Sequence, residues 1–221
     1  MSFRLKVAAR KSPLSQAQVE EVLLLVRQFH PDLSFEKLLV ETLGDRDRCT
    51  SLRSLGQTDF FTKEVDELVL SGQCHVAIHS AKDLPVPLTT GLELIAITEG
   101  IDPSDSLVMR EALPPGALVA TSSQRREEAV KQYYPDACFV DLRGTIAERL
   151  EKLERGEVHG VVVAEAALIR LGLTHLSRQR LSAPTSPLQG KLAIVSRQGD
   201  EAMKQLFAEI DCRETHPLSR A

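Results

Sequence analysis

The chain has 221 residues, 43% of them hydrophobic and 26% charged, which suits one large globular domain or two smaller ones. Its formal net charge of -4 argues against a general nucleic-acid binder, and no apolar run approaches the roughly 20 residues needed to cross a bilayer. The amino terminus lacks the apolar core of a signal peptide and the four cysteines form no CxxC pair, so we expect a cytoplasmic protein with reduced thiols.

Strand-like and helix-like segments alternate along the chain. Strands are predicted, in order, at RLKVAA, LSFEKLLVET, VAI, LELIAI, ALVA, CFVDL, VHGVVVAEAA and KLAIVSR. Helices are predicted after the first strand, at residues 62–70, and at TSSQRREEAV, TIAERLEKLERG and DEAMKQLFAEI. A long polar loop, LGDRDRCTSLRSLGQTDF, follows the second strand. This alternation predicts an α/β fold with parallel or mixed sheets flanked by helices.

The pattern also suggests two lobes, with a boundary near residues 98–103. We predict a first α/β lobe from residues 1–97 and 191–212, a second from residues 98–190, and an irregular tail at 213–221. The return of the late strand KLAIVSR to the first lobe does not follow from the pattern alone.

The stretch HVAIHSAKDLPVP, residues 75–87, places Lys82 and Asp83 directly after a short buried strand, and its prolines prevent any helix beyond it. In open α/β sheets, ligands bind at the carboxyl ends of strands. The alternative is an ordinary turn with a capping aspartate and a solvated lysine. His75 and His79 share a face of this strand, but no carboxylate or thiol completes a ligand set, so we predict no metal site.

Three loop-to-helix junctions, ARKS, TSSQRR and LRGTIAER, each combine arginine with serine or threonine after a strand. Helix N-termini favour anions, and the arginine fork matches carboxylates or phosphates. Each junction alone also fits a capped, solvated helix start. Together they predict a small ligand with several negative groups. The chain contains no GxxxxGK[ST] or GxGxxG motif for a nucleotide.

The motif HSAKDLP resembles a signature of the porphobilinogen deaminase family, and the other motifs of that family occur in the right order: AARKSPLSQAQV, TLGD, TSSQRR, LRGTIAERL, AALIRLGL and LQGKLAI. The resemblance covers nearly the entire chain. It implies two α/β lobes like those of type II periplasmic binding proteins, with an active-site cleft between the lobes. The small third domain of the family is not matched, because its cysteine-bearing segment does not appear in this sequence.

The resemblance implies an enzyme, hydroxymethylbilane synthase, which joins four porphobilinogen units head to tail and releases ammonia, in haem biosynthesis. It also implies a dipyrromethane cofactor held by a cysteine thioether, although the anchoring cysteine is not evident here. Asp83 matches the catalytic carboxylate. The positions that match substrate- or cofactor-binding residues are Arg10, Ser12, Lys82, Ser123, Arg125, Arg126, Arg143, Arg149 and Gln189.

Of the four cysteines, only Cys49, in the long loop, is expected to be able to move into the cleft, and Cys212 is not expected to be an anchor. We therefore predict a chain without covalent dipyrromethane and with little polymerising activity. The partner is a small pyrrole, with no nucleic acid or membrane, and the chain is expected to be a monomer. The alternative function is a non-catalytic two-lobed binder of small polycarboxylates or a degenerate deaminase. Asp83 separates the two, because a carboxylate disfavours anion binding but assists a reaction that forms a cation.

Overall fold

The computed structural model describes residues 3–47, 50, 51, 53 and 58–213. These residues divide into two compact units. Unit 1 is drawn from Met1–Arg46, Gln57–Ile101 and Lys191–Ala221, and unit 2 from Asp47–Gly56 and Asp102–Gly190. The predicted irregular tail at 213–221 lies outside the described residues except for Arg213.

Unit 1 is a five-stranded mixed sheet flanked by helices. Its elements are β1 (Arg4–Arg10), α1 (Pro13–Arg27), β2 (Ser34–Val40), α2 (Leu43–Arg46), α3 (Lys63–Leu70), β3 (Val76–Ser80), β4 (Leu92–Ile97), β10 (Leu192–Arg197) and α7 (Glu201–Phe207), with 3-10 turns at Asp59–Phe61, Ala81–Asp83 and Ala208–Ile210. The strand order is β2-β1-β3-β10-β4. β1 runs parallel to β2 and β3, and β10 runs antiparallel to β3 and β4. The late strand therefore returns to the first unit and lies between two of its strands.

Unit 2 repeats this arrangement. Its elements are β5 (Asp105–Met109), β6 (Leu118–Ala120), α4 (Gln124–Lys131), β7 (Cys138–Val140), α5 (Ile146–Glu154), β8 (Gly160–Ala164), α6 (Glu165–Arg170) and β9 (Arg178–Leu181). The strand order is β7-β6-β8-β5-β9, again with one strand, β5, antiparallel to the other four and next to the outer strand β9. In both sheets, the antiparallel strand is the first strand after the chain crosses from the other unit.

Local sequence explains where several elements begin and what they bury. Ser12 caps α1 by accepting the Ser15 N–H, and Pro13 fits the first helical turn because its missing N–H is not needed there. The apolar face of α1 and the centre of β10 are completely buried in the core of unit 1, together with Phe207 of α7. Apolar burial of this kind is the main force that stabilises each unit.

The boundaries between the units differ from the sequence prediction in the long loop. Arg53 donates to the Thr121 carbonyl at 3.1 Å and pairs with Glu127, and Arg143 donates to the Asp47 carbonyl, so the described loop residues belong with unit 2. The segment from Thr98 to Ile101 instead remains with unit 1, where Thr98 N–H bonds the Leu192 carbonyl at 2.9 Å.

Two further elements correct the sequence prediction. The predicted strand VHGVVVAEAA ends at Ala164, and Glu165 begins α6, where its fully buried carboxylate accepts hydrogen bonds from Arg178 and Ser106. Strand β9, with the sequence RQRL, was missed because it is a polar edge strand without apolar alternation. The prediction LELIAI, by contrast, coincides with β4. Among the described residues, no helix has the length and apolar character required for a membrane span.

Phe207 tests how much the core of unit 1 depends on α7. Its side chain is fully buried, so we expect Phe207→Ala to lower the free energy of unfolding of this unit by about 3–5 kcal/mol. The same truncation at Phe29, which is 50% exposed, should cost less than about 1 kcal/mol. Urea titration followed by circular dichroism measures both. Equal midpoints for the two variants would contradict this account of the core.

Candidate functional site

The candidate site in unit 1 is a small cavity at the carboxyl ends of β1 and β3. Its volume is about 60 Å³, and its lining brings together three residues that the sequence singled out, Arg10, Ser12 and Asp83. The cavity is also lined by Leu14, Ser15, Gln18, Phe61, Thr62, Ile78, His79 and Ser80. Because β1 and β3 are neighbouring parallel strands, their terminal residues meet at one edge of the sheet.

Asp83 ends the 3-10 turn that follows β3 and is exposed. Within the part of the chain that the structure describes, its carboxylate has no hydrogen-bond or ion-pair partner, so both oxygens are available to a ligand. Lys82 precedes it and is partly buried, but it is not among the residues found to line the cavity. The sequence therefore placed Asp83 correctly at a strand end, and the structure adds its place on a cavity.

Arg10 is held in position by Asp45. The Arg10 Nε lies 3.2 Å from one carboxylate oxygen, Nη2 binds the other, and the guanidinium lies 4.6 Å from the centre of the Phe61 ring. Asp45 also accepts the Thr42 N–H at 3.0 Å and its hydroxyl at 2.9 Å. Burial raises the pKa of the Asp45 carboxyl, but Arg10 and Thr42 outweigh that effect and hold this pKa below its ordinary value.

Phe61 is placed by close packing against α2. A methyl group added to Gly44 would lie 2.3 Å from carbons of the Phe61 ring, a distance that the ring cannot tolerate without moving. Glycine in this short helix therefore lets the ring approach closely enough to lie beside Arg10.

Three of the residues that line the cavity form polar side-chain pairs. Gln18 Nε2 donates to Ser80 Oγ at 2.7 Å, and His79 Nε2 lies 3.0 Å from a carboxylate oxygen of Asp66. The His79 and Asp66 side chains are 4% and 3% exposed, so this pair is part of the protein interior. Because these polar groups are paired with one another, they hold the backbone and side chains at the end of β3 in one arrangement.

In unit 2, one buried aspartate gathers three of the residues that the sequence predicted as ligand-binding. Asp105 is 2% exposed; it accepts Arg125 Nη2 at 2.6 Å, Arg126 Nη2 at 2.6 Å and Gln189 Nε2 at 3.0 Å. Arg126 adds a second bond to Asp105 through Nε, at 3.0 Å. Burial raises the pKa of the Asp105 carboxyl, but Arg126 and then Arg125 outweigh it and leave this pKa below its usual value.

The remaining predicted residues of unit 2 lie where β6 and β7 end. Ser123 occupies the N-cap position of α4, but its side chain makes no capping hydrogen bond to the helix. Arg143, after β7, donates to the Asp47 carbonyl, and Arg149 Nε donates to the Gly144 carbonyl at 2.9 Å. Thr145 and Glu148 form a reciprocal capping box that fixes the start of α5.

A protein-family model described as porphobilinogen deaminase, dipyromethane cofactor binding domain, matches residues 5–205. The chain belongs to the porphobilinogen deaminase family. A probable porphobilinogen deaminase of Chlamydia pneumoniae is 42% identical over 216 residues, covering 96% of this chain and 92% of that protein. A porphobilinogen deaminase of Xanthomonas campestris pv. campestris (strain B100) is 39% identical over 225 residues, covering 98% of this chain and 74% of the other. The resemblance inferred from the motifs is thereby confirmed.

The fold is also similar to that of a solved periplasmic substrate-binding protein of an ABC transporter from Coxiella burnetii. The TM-score is 0.56 at 16% identity, with 95% of this chain and 92% of that one covered. At this identity the likeness shows only the fold. It confirms the expected α/β class with two lobes of the type II periplasmic-binding kind and mixed sheets flanked by helices.

Sequence reasoning named arginines as binding candidates but missed the acids that hold them. Asp45 lies in the quoted motif TLGD and is partly buried against Arg10, and Asp105 is the first residue of β5 and is buried against Arg125. The local signal for an acid that holds an arginine is an acidic residue next to a strand end, and this signal does not show which arginine it pairs with. Thr62 and Phe61 were also missed, because nothing in the sequence shows that they line the cavity.

The chemistry of the arginines suits the carboxylates of a dipyrromethane, whereas the described thiols do not fit its attachment. Arg10 in unit 1, and Arg125 and Arg143 in unit 2, each carry a planar cationic group that matches a carboxylate. Burial raises the pKa of the Cys74 thiol, which disfavours the thiolate, and Cys74 precedes β3 at the end opposite Asp83. Cys138 begins β7, at the end of that strand away from Arg143. Cys212 is partly buried, and Cys49 lies outside the described residues.

Asp105→Asn tests whether the buried carboxylate organises unit 2. Losing its charge leaves two neighbouring guanidinium groups uncompensated, so we expect a loss of about 3–5 kcal/mol in the free energy of unfolding at neutral pH. Because the folded pKa of Asp105 lies below the unfolded one, its contribution is present above about pH 4 and is lost as pH falls through the folded pKa.

The variant should therefore lose less stability than the wild type on acidification. Urea titrations at pH 7 and below pH 4 give both differences. Asp32→Asn removes the same charge from an exposed position and serves as the control. An Asp105→Asn protein as stable as the control at pH 7 would show that this cluster contributes nothing.

Proposed function

We propose that this chain joins four porphobilinogen units head to tail into hydroxymethylbilane, releasing one ammonia for each unit. The observation that carries the proposal is Asp83, an exposed carboxylate that meets no partner in the described part of the chain and lies on a cavity that also presents Arg10 and Ser12. A site for an anionic pyrrole needs cationic donors for its carboxylates. A reaction that forms a cation needs, in addition, an acidic group close to the reacting ring. This combination, in a member of the deaminase family, supports the enzyme over the non-catalytic binder.

Asp83 would act when the aminomethyl carbon–nitrogen bond breaks. The nitrogen leaves with the bonding electron pair as ammonia once it is protonated, and the positive charge remains on the methylene–pyrrole system. A fixed carboxylate that accepts the pyrrole N–H stabilises this azafulvenium cation as its charge develops. The contribution is electrostatic, so it depends on the charge of Asp83 more than on its volume.

Each unit carries groups suited to substrate carboxylates. Arg10, Lys82, Arg125, Arg143 and Arg149 supply positive charge. Ser12 and Ser123 stand at the starts of α1 and α4, where hydroxyls and backbone N–H groups favour anions. Arg126 and Gln189 would act indirectly, because both bind the Asp105 carboxylate and Gln189 also binds the Pro103 carbonyl. They would keep Arg125 oriented.

The dipyrromethane, when bound, supplies the pyrrole end to which the first substrate unit is joined. Arg10 in unit 1, and Arg125 and Arg143 in unit 2, would each be suited to one of its carboxylates. Membership of the deaminase family favours polymerising activity over the little activity expected from the cysteines alone. That the chain carries no covalent dipyrromethane stays a prediction, and intact-mass measurement of the purified protein checks it. Action in the cytoplasm, as a monomer without nucleic acid or membrane, likewise stays a prediction from composition and charge.

Asp83→Asn tests the catalytic assignment. The amide keeps the shape but loses the charge, so we expect ammonia release from porphobilinogen to fall by about 100-fold or more with no change in thermal stability. Asp136→Asn, at an exposed position before β7, is the matched control and should release ammonia at the wild-type rate. Unchanged release by a folded Asp83→Asn protein would remove Asp83 from the chemistry.

Arg125 and Arg126 offer a test of the two roles assigned to neighbouring arginines. Arg125 is 28% exposed and would bind substrate, whereas Arg126 is 13% exposed and bonds Asp105 twice. We expect Arg125→Ala to weaken porphobilinogen binding by about 30-fold or more, since truncating one partner of a buried charge pair costs 2 kcal/mol or more. Arg126→Ala should mainly lower the melting temperature.

Calorimetric titration and thermal melting, done on both variants, separate these effects. The assignment is wrong if Arg125→Ala binds porphobilinogen like the wild type, or if Arg126→Ala melts at the wild-type temperature.

A further inference from the structure

Thr62 has a buried hydroxyl without a hydrogen-bond partner. The residue is 1% exposed, and its Oγ1 meets no donor or acceptor among the residues that the structure describes. It occupies the capping position of α3, yet its side chain makes no capping bond. Buried hydroxyls are nearly always paired, because an unpaired one loses its bonds to water without replacement. An orphaned hydroxyl in a native fold indicates a partner that is bound only at times.

The hydroxyl belongs to a residue that lines the cavity of Arg10, Ser12 and Asp83. Two helices begin at this cavity, α1 after Ser12 and α3 after Thr62. A helix N-terminus carries partial positive charge and N–H groups without partners inside the helix, which favour an anion. Ser12 Oγ already accepts the Ser15 N–H at 3.3 Å, so its own hydrogen can be donated elsewhere.

Arg10 is pre-oriented for the same space. Its ion pair with Asp45 uses Nε and Nη2, and in the described residues no acceptor meets Nη1. Phe61 lies beside the guanidinium and directly precedes Thr62 in the chain. Arg10 and Thr62 therefore offer a fixed cation and a hydroxyl donor to one small ligand group.

Two further acids near this helix start interact with other groups. Glu64 accepts the Leu43 N–H at 2.7 Å and Arg46 Nη2 at 3.0 Å through one oxygen, and its other oxygen meets no partner among the described residues. Asp66 is paired with His79 and accepts the Thr89 hydroxyl at 3.2 Å. Of these three acids, Asp83 is the one that lines the cavity, where it would repel a simple anion. A pyrrole that offers an N–H to Asp83 and a carboxylate to Arg10 satisfies both.

We propose that Thr62 is a further substrate-binding residue, whose hydroxyl, with the first turn of α3 and Arg10, binds one carboxylate arm of the pyrrole. The cavity volume of about 60 Å³ admits roughly four water-sized groups, enough for a carboxymethyl arm but not for the ring. This inference rests on the proposed function, because it takes its ligand from that reaction. It explains why a buried hydroxyl is left unpaired in the protein without substrate.

The test uses Thr62→Val, which keeps the shape and removes the hydroxyl, and Thr62→Ser, which keeps the hydroxyl. Porphobilinogen is titrated calorimetrically into each protein, and each melting temperature is measured without ligand. We expect Thr62→Val to bind porphobilinogen about tenfold or more weakly, as for a lost hydrogen bond to a charged group, while Thr62→Ser binds within about threefold of the wild type. The melting temperature of Thr62→Val should equal or exceed that of the wild type, because an unpaired polar group has been removed.

Thr98→Val is the matched control. Thr98 is also 1% exposed, but its Oγ1 accepts the Leu192 N–H at 3.0 Å, so its loss should lower the melting temperature and leave porphobilinogen affinity unchanged. If Thr62→Val binds porphobilinogen as tightly as the wild type, the inference fails but the proposed function does not, because the wild type still binds porphobilinogen and releases ammonia. A lowered melting temperature in Thr62→Val would also overturn it, by showing a structural bond. If the wild type itself neither binds porphobilinogen nor releases ammonia, the proposed function fails, and the inference fails with it.

Discussion

An aspartate holds the arginine at the sheet edge of each unit, and the candidate binding residues of each unit depend on these ion pairs. Asp45 binds Arg10 in unit 1, and Asp105 binds Arg125 and Arg126 in unit 2. A free arginine side chain loses considerable rotamer entropy when it binds a ligand. An internal carboxylate imposes that ordering during folding, so the guanidinium is already placed when a substrate carboxylate arrives.

The same arrangement explains how a cationic site can tolerate Asp83. Asp45 neutralises part of the positive charge of Arg10, which reduces the attraction of Arg10 for Asp83. Among the described residues the Asp83 carboxylate has no protein partner. Its exposure at a strand end keeps it accessible to a ring nitrogen.

Departures from ordinary local structure gather around these residues. Thr62 keeps an unpaired hydroxyl, and Leu188, directly before Gln189, adopts a φ of 59°, in the left-handed region that leucine rarely occupies. Gln189 is held by the Pro103 carbonyl and Asp105 at the point where the chain leaves unit 2. Such features cost stability, and proteins keep them where binding or catalysis requires a particular geometry.

The sequence by itself determined the elements whose signals are local and the family to which the chain belongs. The strand LELIAI, the capped start of α1 at Ser12 and Pro13, and the position of Asp83 after a buried strand follow from propensities, caps and prolines within a few residues. Only the tertiary structure decided which carboxylate holds which arginine. Arg10 and Asp45 are 35 positions apart, so no local pattern pairs them. The same is true of Gln189, which binds Asp105 from 84 positions away. The return of β10 and the polar edge strand β9 were decided in the same way, because strand pairing depends on which edges remain open after the rest of the sheet has formed.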